Sequence, residues 1–158
     1  MPVRQLLLAL AFATTACAAV DRIVHPSARL RLGRVGASAA LLDVPVEATF
    51  CAADTTLTIV GADRSWSVAL ALRTPWPPAS RQFVVDSAIG GAGTAALAMR
   101  PLQDSIGAAV MAVRGSVSLD AGARLSGALD LVVVRRDTLH LVGSFTAVTP
   151  ASGGCPAP

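Results

Sequence analysis

Apolar and polar residues alternate with a period of two along most of the chain after residue 28. The alternation is clearest over residues 113–120, where the core-facing set consists of Val113, Gly115, Val117 and Leu119. Similar segments begin at Leu30, Val44, Leu57, Trp66, Phe83, Leu125 and Leu139. Such alternation is typical of strands with one face on a core and the other in solvent. It therefore predicts an all-β domain of about eight or nine strands.

Short turn-forming stretches separate these segments. Residues 61–64 and 120–123 each contain glycine and aspartate, which favour tight turns between strands. Parallel pairing would need a crossover of about a dozen residues, so we expect an antiparallel meander that closes into a small barrel or a sandwich. Residues 74–78 predict a stiff proline loop. Residues 37–42 and 105–112 are expected to hold short helical turns.

The N-terminus has the order of charged, apolar and small residues that is typical of an export signal. Arg4 precedes an apolar run at residues 6–13, and small residues follow it. The run is too short to cross a bilayer as a helix, which needs about 20 apolar residues. We therefore assign residues 1–16 to a signal peptide.

The sequence Thr14-Thr15-Ala16-Cys17 resembles the lipobox of bacterial exported lipoproteins. Ala16 and Cys17 match that motif, whereas Thr14 stands where the family usually has leucine. The resemblance implies that Cys17 is the lipidated first residue of the mature chain, with residues 17–27 as a tether and residues 28–158 as a single β domain. It also implies a membrane-anchored protein of the cell envelope, facing the periplasm or the exterior. The alternative is cleavage at an A-x-A site that includes Cys17, which would release a soluble secreted protein.

The two remaining cysteines predict a disulfide. Cys51 and Cys155 form an even pair in an exported chain, where the surroundings are oxidising, and neither has neighbours at metal-ligand spacing. Phe50 continues the core-facing positions of its strand, so Cys51 is expected to point outward at the strand end. There the tail that carries Cys155 can fold back and reach it. The bridge would close a loop of about a hundred residues and contribute roughly 4–5 kcal/mol.

Charge and motifs exclude several classes of function. The chain has 13 basic residues, all arginine, and 10 acidic residues, for a net charge of +3. These charges are interspersed along the chain, whereas nucleic-acid binding needs clustered basic groups. The sequence contains no motif that pairs a catalytic nucleophile with a base, and no cluster of residues at metal-ligand spacing. It also contains no complete glycine-rich motif for binding phosphate. We therefore predict no cofactor, no metal and no catalysis, and a binding or structural role.

A few polar residues still require an interpretation. His25 lies in the tether, and His140 lies on a strand, pointing away from the core face. Asp130 is unusual within a strand of leucines and valines, and is expected either to face solvent or to pair with Arg135 or His140. Most other carboxylates fall at strand ends, where aspartate caps turns.

Other residues are candidates for contact with a partner. Arg29 and Arg31 lie near the anchor, either as contacts for anionic lipid headgroups or as part of a solvated strand face. Trp76 is either an exposed contact for an envelope partner or a plug at an open end of the fold.

Alternative functions remain open at this point. A barrel could hold a small apolar ligand in its interior, where the alanine-rich faces (Ala69, Ala71, Ala95, Ala96 and Ala98) would leave room. A hydrolase and an outer-membrane barrel are further alternatives, although the sequence has no tyrosine and only 4% aromatic residues for the girdles of such a barrel. Residues 115–119, 125–127 and 142–145, with the late Cys155, resemble the ending of many exported bacterial β-proteins. This resemblance implies a final hairpin and no activity.

Overall fold

The computed structural model describes residues 28–102, 109–134, 136–150 and 155. These residues form nine strands: β1 (Arg29–Arg34), β2 (Ala40–Cys51), β3 (Thr56–Ala62), β4 (Trp66–Arg73), β5 (Arg81–Asp86), β6 (Thr94–Pro101), β7 (Val110–Ala121), β8 (Arg124–Val134) and β9 (Thr138–Val148). The prediction of an all-β domain with about nine strands is confirmed. The described residues form no helix, and so they contain no helix that could cross a membrane.

The strands close into a single barrel in the order β1-β2-β3-β4-β6-β5-β7-β8-β9, with β9 returning to β1. Of the two predicted architectures, the barrel is the one that forms. Most neighbours are antiparallel, as expected. The exception is β5, which is inserted between β6 and β7 and pairs with β6 in parallel through Val84 and Val85. Closing nine strands, an odd number, requires at least one such parallel pair.

The inside of the barrel is a packed apolar core. Every strand contributes inward side chains to one buried cluster, and its largest fully buried members include Phe83, Phe145, Leu57, Leu70, Leu97 and Leu131. The outer face carries arginine, aspartate, serine and histidine, together with alanines and exposed valines such as Val60, Val84 and Val142.

Inward-facing glycines allow the sheet to bend tightly around this core. A Cβ atom on Gly127 would lie 2.5 Å from Cε1 of the Phe145 ring and in hard contact with the carbonyl oxygen of Ser118. Gly115 has a φ of 145°, which side-chain-bearing residues rarely adopt, and it lies beside a bulge in β7. Glycines at such positions are how small barrels achieve the curvature that closure needs.

The structure corrects two expectations about local conformation. Val113 was expected on the core side, but the bulge between Ala112 and Arg114 reverses the alternation there, and Val113 is exposed. No helical turn forms over residues 37–42, because residues 40–42 already pair with β1. In the second predicted helical turn, residues 110–112 belong to β7, and residues 105–108 lie outside the described part of the chain.

Because most strands are antiparallel, the loops between them lie alternately at the two ends of the barrel. The first end carries the start of β1, the turns at residues 52–55 and 122–123, and the proline loop at residues 74–80. The second end carries residues 35–39, the turn at residues 63–65, and the end of β6. Ala28, which precedes β1, therefore lies at the first end.

Candidate functional site

An open groove of about 460 Å³ lies on the outer face of the barrel, over β3, β4 and β6. It is lined by Val60, Gly61, Ala62, Ser67, Val68, Ala69, Ala98, Met99, Arg100 and Ala109. Its volume is within the usual range of small-molecule sites, although such sites are normally more enclosed.

Strand register determines which side chains form the floor of the groove. Val60 pairs with Ala69, and Ala69 pairs with Ala98, so these three outward residues form one row across the strands. Alanine side chains are too short to shield the sheet, which leaves a shallow apolar depression beside the larger Val60. Ala69 and Ala98 are half-buried, while Val60 remains 41% exposed.

The next row toward the second end of the barrel is polar. Ala62 pairs with Ser67, and Ser67 pairs with Arg100, so a serine and an arginine are cross-strand neighbours at one end of the groove. Arg100 is exposed, and it forms no salt bridge with the carboxylates of the described residues. The groove is therefore amphipathic, with an apolar floor and one cationic end.

The chemistry of the groove is suited to binding. The described residues of its lining include one hydroxyl and one guanidinium but no histidine or carboxylate that could act as a general base. Within the described ranges, no three histidine, cysteine, aspartate or glutamate side chains come together as a metal site. The groove can thus offer apolar contact together with hydrogen bonds to an anion.

The predicted disulfide is present. Cys51 and Cys155 are bonded, with their Cα atoms 4.2 Å apart, and Phe50 is buried on the core side, as expected from the alternation. The bond lies at the first end of the barrel, where β2 ends. It fastens the C-terminal tail to the same end at which β1 begins.

Trp76 lies at this first end as well. Its ring centroid is 4.8 Å from that of Phe50, and the half-buried indole packs against the core. Trp76 therefore closes the barrel at this end. The rest of the indole is accessible at this end, and its contact with an envelope partner remains a prediction.

Arg29 and Arg31 share one carboxylate on the outer face. Nε of Arg29 lies 2.6 Å from Oδ1 of Asp43, and Nε of Arg31 lies 3.0 Å from Oδ2 of the same side chain. Both arginines remain accessible, with side-chain exposures of 45% and 64%. Their contact with lipid headgroups or a partner remains a prediction, and the shared aspartate reduces the charge that they would offer.

The other polar residues have structural partners. Asp130 on β8 pairs with His140 on β9, with Oδ1 and Nε2 2.5 Å apart, and both are exposed. Asp63 accepts hydrogen bonds from the backbone N–H groups of Ser65 and Trp66 in the β3–β4 turn. Asp54 and Asp86 cap backbone groups in the same way, as expected for aspartate at strand ends.

The structure does not bring all the candidate residues to one place. Cys17 and His25 lie outside the described residues. Trp76 and the disulfide are at the first end, Arg29 and Arg31 are on the face of β1, and the groove is on β3, β4 and β6 toward the second end. Sequence reasoning missed Arg100 and Ser67. The available signal was their outward position in strands that carry two outward alanines each, Ala69 and Ala71 on β4 and Ala96 and Ala98 on β6.

Comparisons of the chain with known protein families, with curated proteins and with solved structures found no match.

Proposed function

We propose that the protein is a cell-envelope lipoprotein, held to a membrane through Cys17, and that its barrel is a non-catalytic binding domain. The groove on β3, β4 and β6 is the binding site for a small apolar ligand. The observation that carries this proposal is the row of Val60, Ala69 and Ala98, an apolar floor that no described residue covers.

The packing of the interior favours the groove over the inside of the barrel as the ligand site. Inward side chains from all nine strands form one cluster in which no member is more than 8% exposed. Of the five alanines that were expected to leave room inside, only Ala95 points inward, whereas Ala69, Ala71, Ala96 and Ala98 point outward. A close-packed core would have to open to admit a ligand, while no residue that the structure describes covers the groove.

The open shape of the groove limits its affinity. A ligand on the alanine floor keeps one side in water, so each methylene gains less than the value of about 0.8 kcal/mol for full burial. We therefore expect dissociation constants in the micromolar range or weaker. Such binding suits a domain that meets its ligand at high local concentration near a membrane.

The anchor is tested by replacing Cys17 with serine and following the protein in membrane and soluble fractions. The expected result is loss of membrane association and of incorporated lipid label. Cys155→Ser is the matched control, because it removes a cysteine without touching the lipobox. Unchanged membrane partitioning of the Cys17→Ser protein would contradict the anchor.

The groove is tested with a neutral fluorescent apolar probe such as N-phenyl-1-naphthylamine. Ala69→Leu fills the floor and should weaken binding several-fold. Ala128→Leu is the control, because Ala128 is an exposed outer-face alanine on β8, opposite Ser118 and Ser144. Equal binding by both variants and the unchanged protein would show that the groove is not the site.

A further inference from the structure

We infer that the groove selects a single-chain amphiphile with an anionic head, of the fatty-acid type. The head binds at Arg100 and Ser67, and the hydrocarbon chain lies along the alanine floor. This inference rests on the proposed function, since it names the class of ligand that the same groove takes.

The direction of the ligand follows from the order of the outward rows. From the second end toward the first, the rows across β4 and β6 are Ser67–Arg100, Ala69–Ala98 and Ala71–Ala96. Outward residues on a strand are about 6.6 Å apart, so the two alanine rows extend about 13 Å beyond the polar row; the first row lies in the groove lining and the second lies beyond it. The outward residues that follow the second row are Arg73 and Thr94. Both side chains donate hydrogen bonds to backbone carbonyl oxygens, Arg73 to those of Asp54 and Gly90. The guanidinium that these apolar rows leave for a charged head is therefore that of Arg100, and the rows themselves match an unbranched tail.

The charge of the head follows from the groups at the polar end. Arg100 is exposed and has no carboxylate partner among the described residues, and Ser67 is its cross-strand neighbour on the same outer face. A guanidinium binds a carboxylate through two parallel hydrogen bonds, and a neighbouring hydroxyl can donate a third.

The neighbouring turn adds to this positive end. The backbone carbonyl of Ser65 accepts a hydrogen bond from the N–H of Leu102 at 2.8 Å, which ties the β3–β4 turn to the end of β6. This contact brings exposed Arg64 to the same end of the barrel as Arg100. Oδ1 of Asp63, the acidic residue of that turn, accepts hydrogen bonds from the backbone N–H groups of Ser65 and Trp66, and the carboxylate keeps its charge. Among the described residues of this turn and of the polar row, two guanidiniums thus stand against one carboxylate, which favours an anion.

The test compares three ligands that differ only in their heads: decanoate, decanol and decyltrimethylammonium. Each is titrated against the purified full chain, and binding is read from displacement of the neutral fluorescent probe. Decanoate should bind about tenfold more tightly than decanol, because a charge-assisted hydrogen bond is added to the same tail contacts. Its advantage should fall as salt is raised, since the polar end is exposed.

Variants at the polar end decide the assignment. Arg100→Gln should remove the preference for decanoate and leave decanol binding unchanged, whereas Arg100→Glu should transfer the preference to decyltrimethylammonium. Arg114→Gln is the matched control, because it removes an exposed arginine from β7, outside the groove lining. Each variant is first compared with the unchanged protein by circular dichroism. If Arg100→Gln does not fold, Arg100→Glu and the salt dependence still test the proposal.

The outcomes separate this inference from the proposed function. If all three ligands bind equally and the Arg100 variants behave like the unchanged protein, the groove is an apolar site without selection for an anion, and the inference fails alone. If no ligand displaces the probe, or if Ala128→Leu weakens binding as much as Ala69→Leu, the proposed function fails as well.

Discussion

Replacing Cys155 with serine should remove a large share of the stability of the barrel while leaving its strands paired. The bond joins residues 104 positions apart and therefore constrains most of the described chain when it unfolds. In the folded protein the bond joins Cys155 to the end of β2. Its loss should consequently favour the unfolded state far more than it perturbs the folded one.

The magnitude follows from the length of the closed loop. The chain-entropy relation gives about 4.7 kcal/mol for a loop of this size, and measured losses of native disulfides are typically about 2–5 kcal/mol. A domain of this size loses roughly 4 °C of melting temperature for each kcal/mol. We therefore expect the melting temperature to fall by roughly 8–19 °C, on the same relations.

The assay is urea and thermal unfolding of the oxidised protein and of the variants Cys155→Ser, Cys51→Ser and the double variant. The double variant should lose no more stability than either single variant, because all three lack the same bond. Far-ultraviolet circular dichroism should remain that of a β-protein. Ready labelling of both cysteines by a thiol reagent in the oxidised, folded protein would refute the bond. A stability loss below about 1 kcal/mol would refute the entropic argument.

Three further substitutions test the packing described above. Gly127→Ala should destabilise the barrel by about 3 kcal/mol or more in urea unfolding, because the new methyl group meets the backbone of β7 as well as the ring of Phe145. Adding Phe145→Leu, which removes the ring, should recover only part of this loss, because the contact with the backbone remains. Leu131→Ala should cost about 2–5 kcal/mol, since Leu131 is fully buried, and a loss near zero would show that the core there is loose. Asp63→Ala should cost about 1 kcal/mol by removing the acceptor for Ser65 and Trp66, and Asp63→Asn should restore most of it because the amide oxygen can still accept.

Much of the fold could be predicted because the alternation of residue types has the same period as the strands. The face shared by Val44, Ala48 and Phe50 is buried as predicted, and it places Cys51 on the outside within reach of Cys155. These inferences succeed because they depend on positions within one strand and on the pairing of two cysteines.

The errors occurred where the conformation depends on contacts between strands. The bulge in β7 is a property of its pairing with β8, so the sequence around Val113 read as uninterrupted alternation. The position of β5 between β6 and β7 is likewise decided by closure of the whole sheet, because the short segment at Phe83 and Val85 contains no signal for its neighbours.

The candidate site was hidden for a related reason. Alanine contributes little to either a buried or an exposed face, so Ala95 and Ala96 look alike in the sequence, although one points into the core and the other outward. Their faces are decided by their larger neighbours: Leu97 and Met99 must be inside, which turns Ala96, Ala98 and Arg100 outward together. The register between β4 and β6 then pairs Ala69 with Ala98 and Ser67 with Arg100, and the sequence does not reveal this register. A shallow apolar track with one cationic end is therefore a property of three paired strands, and no single segment of the sequence contains it.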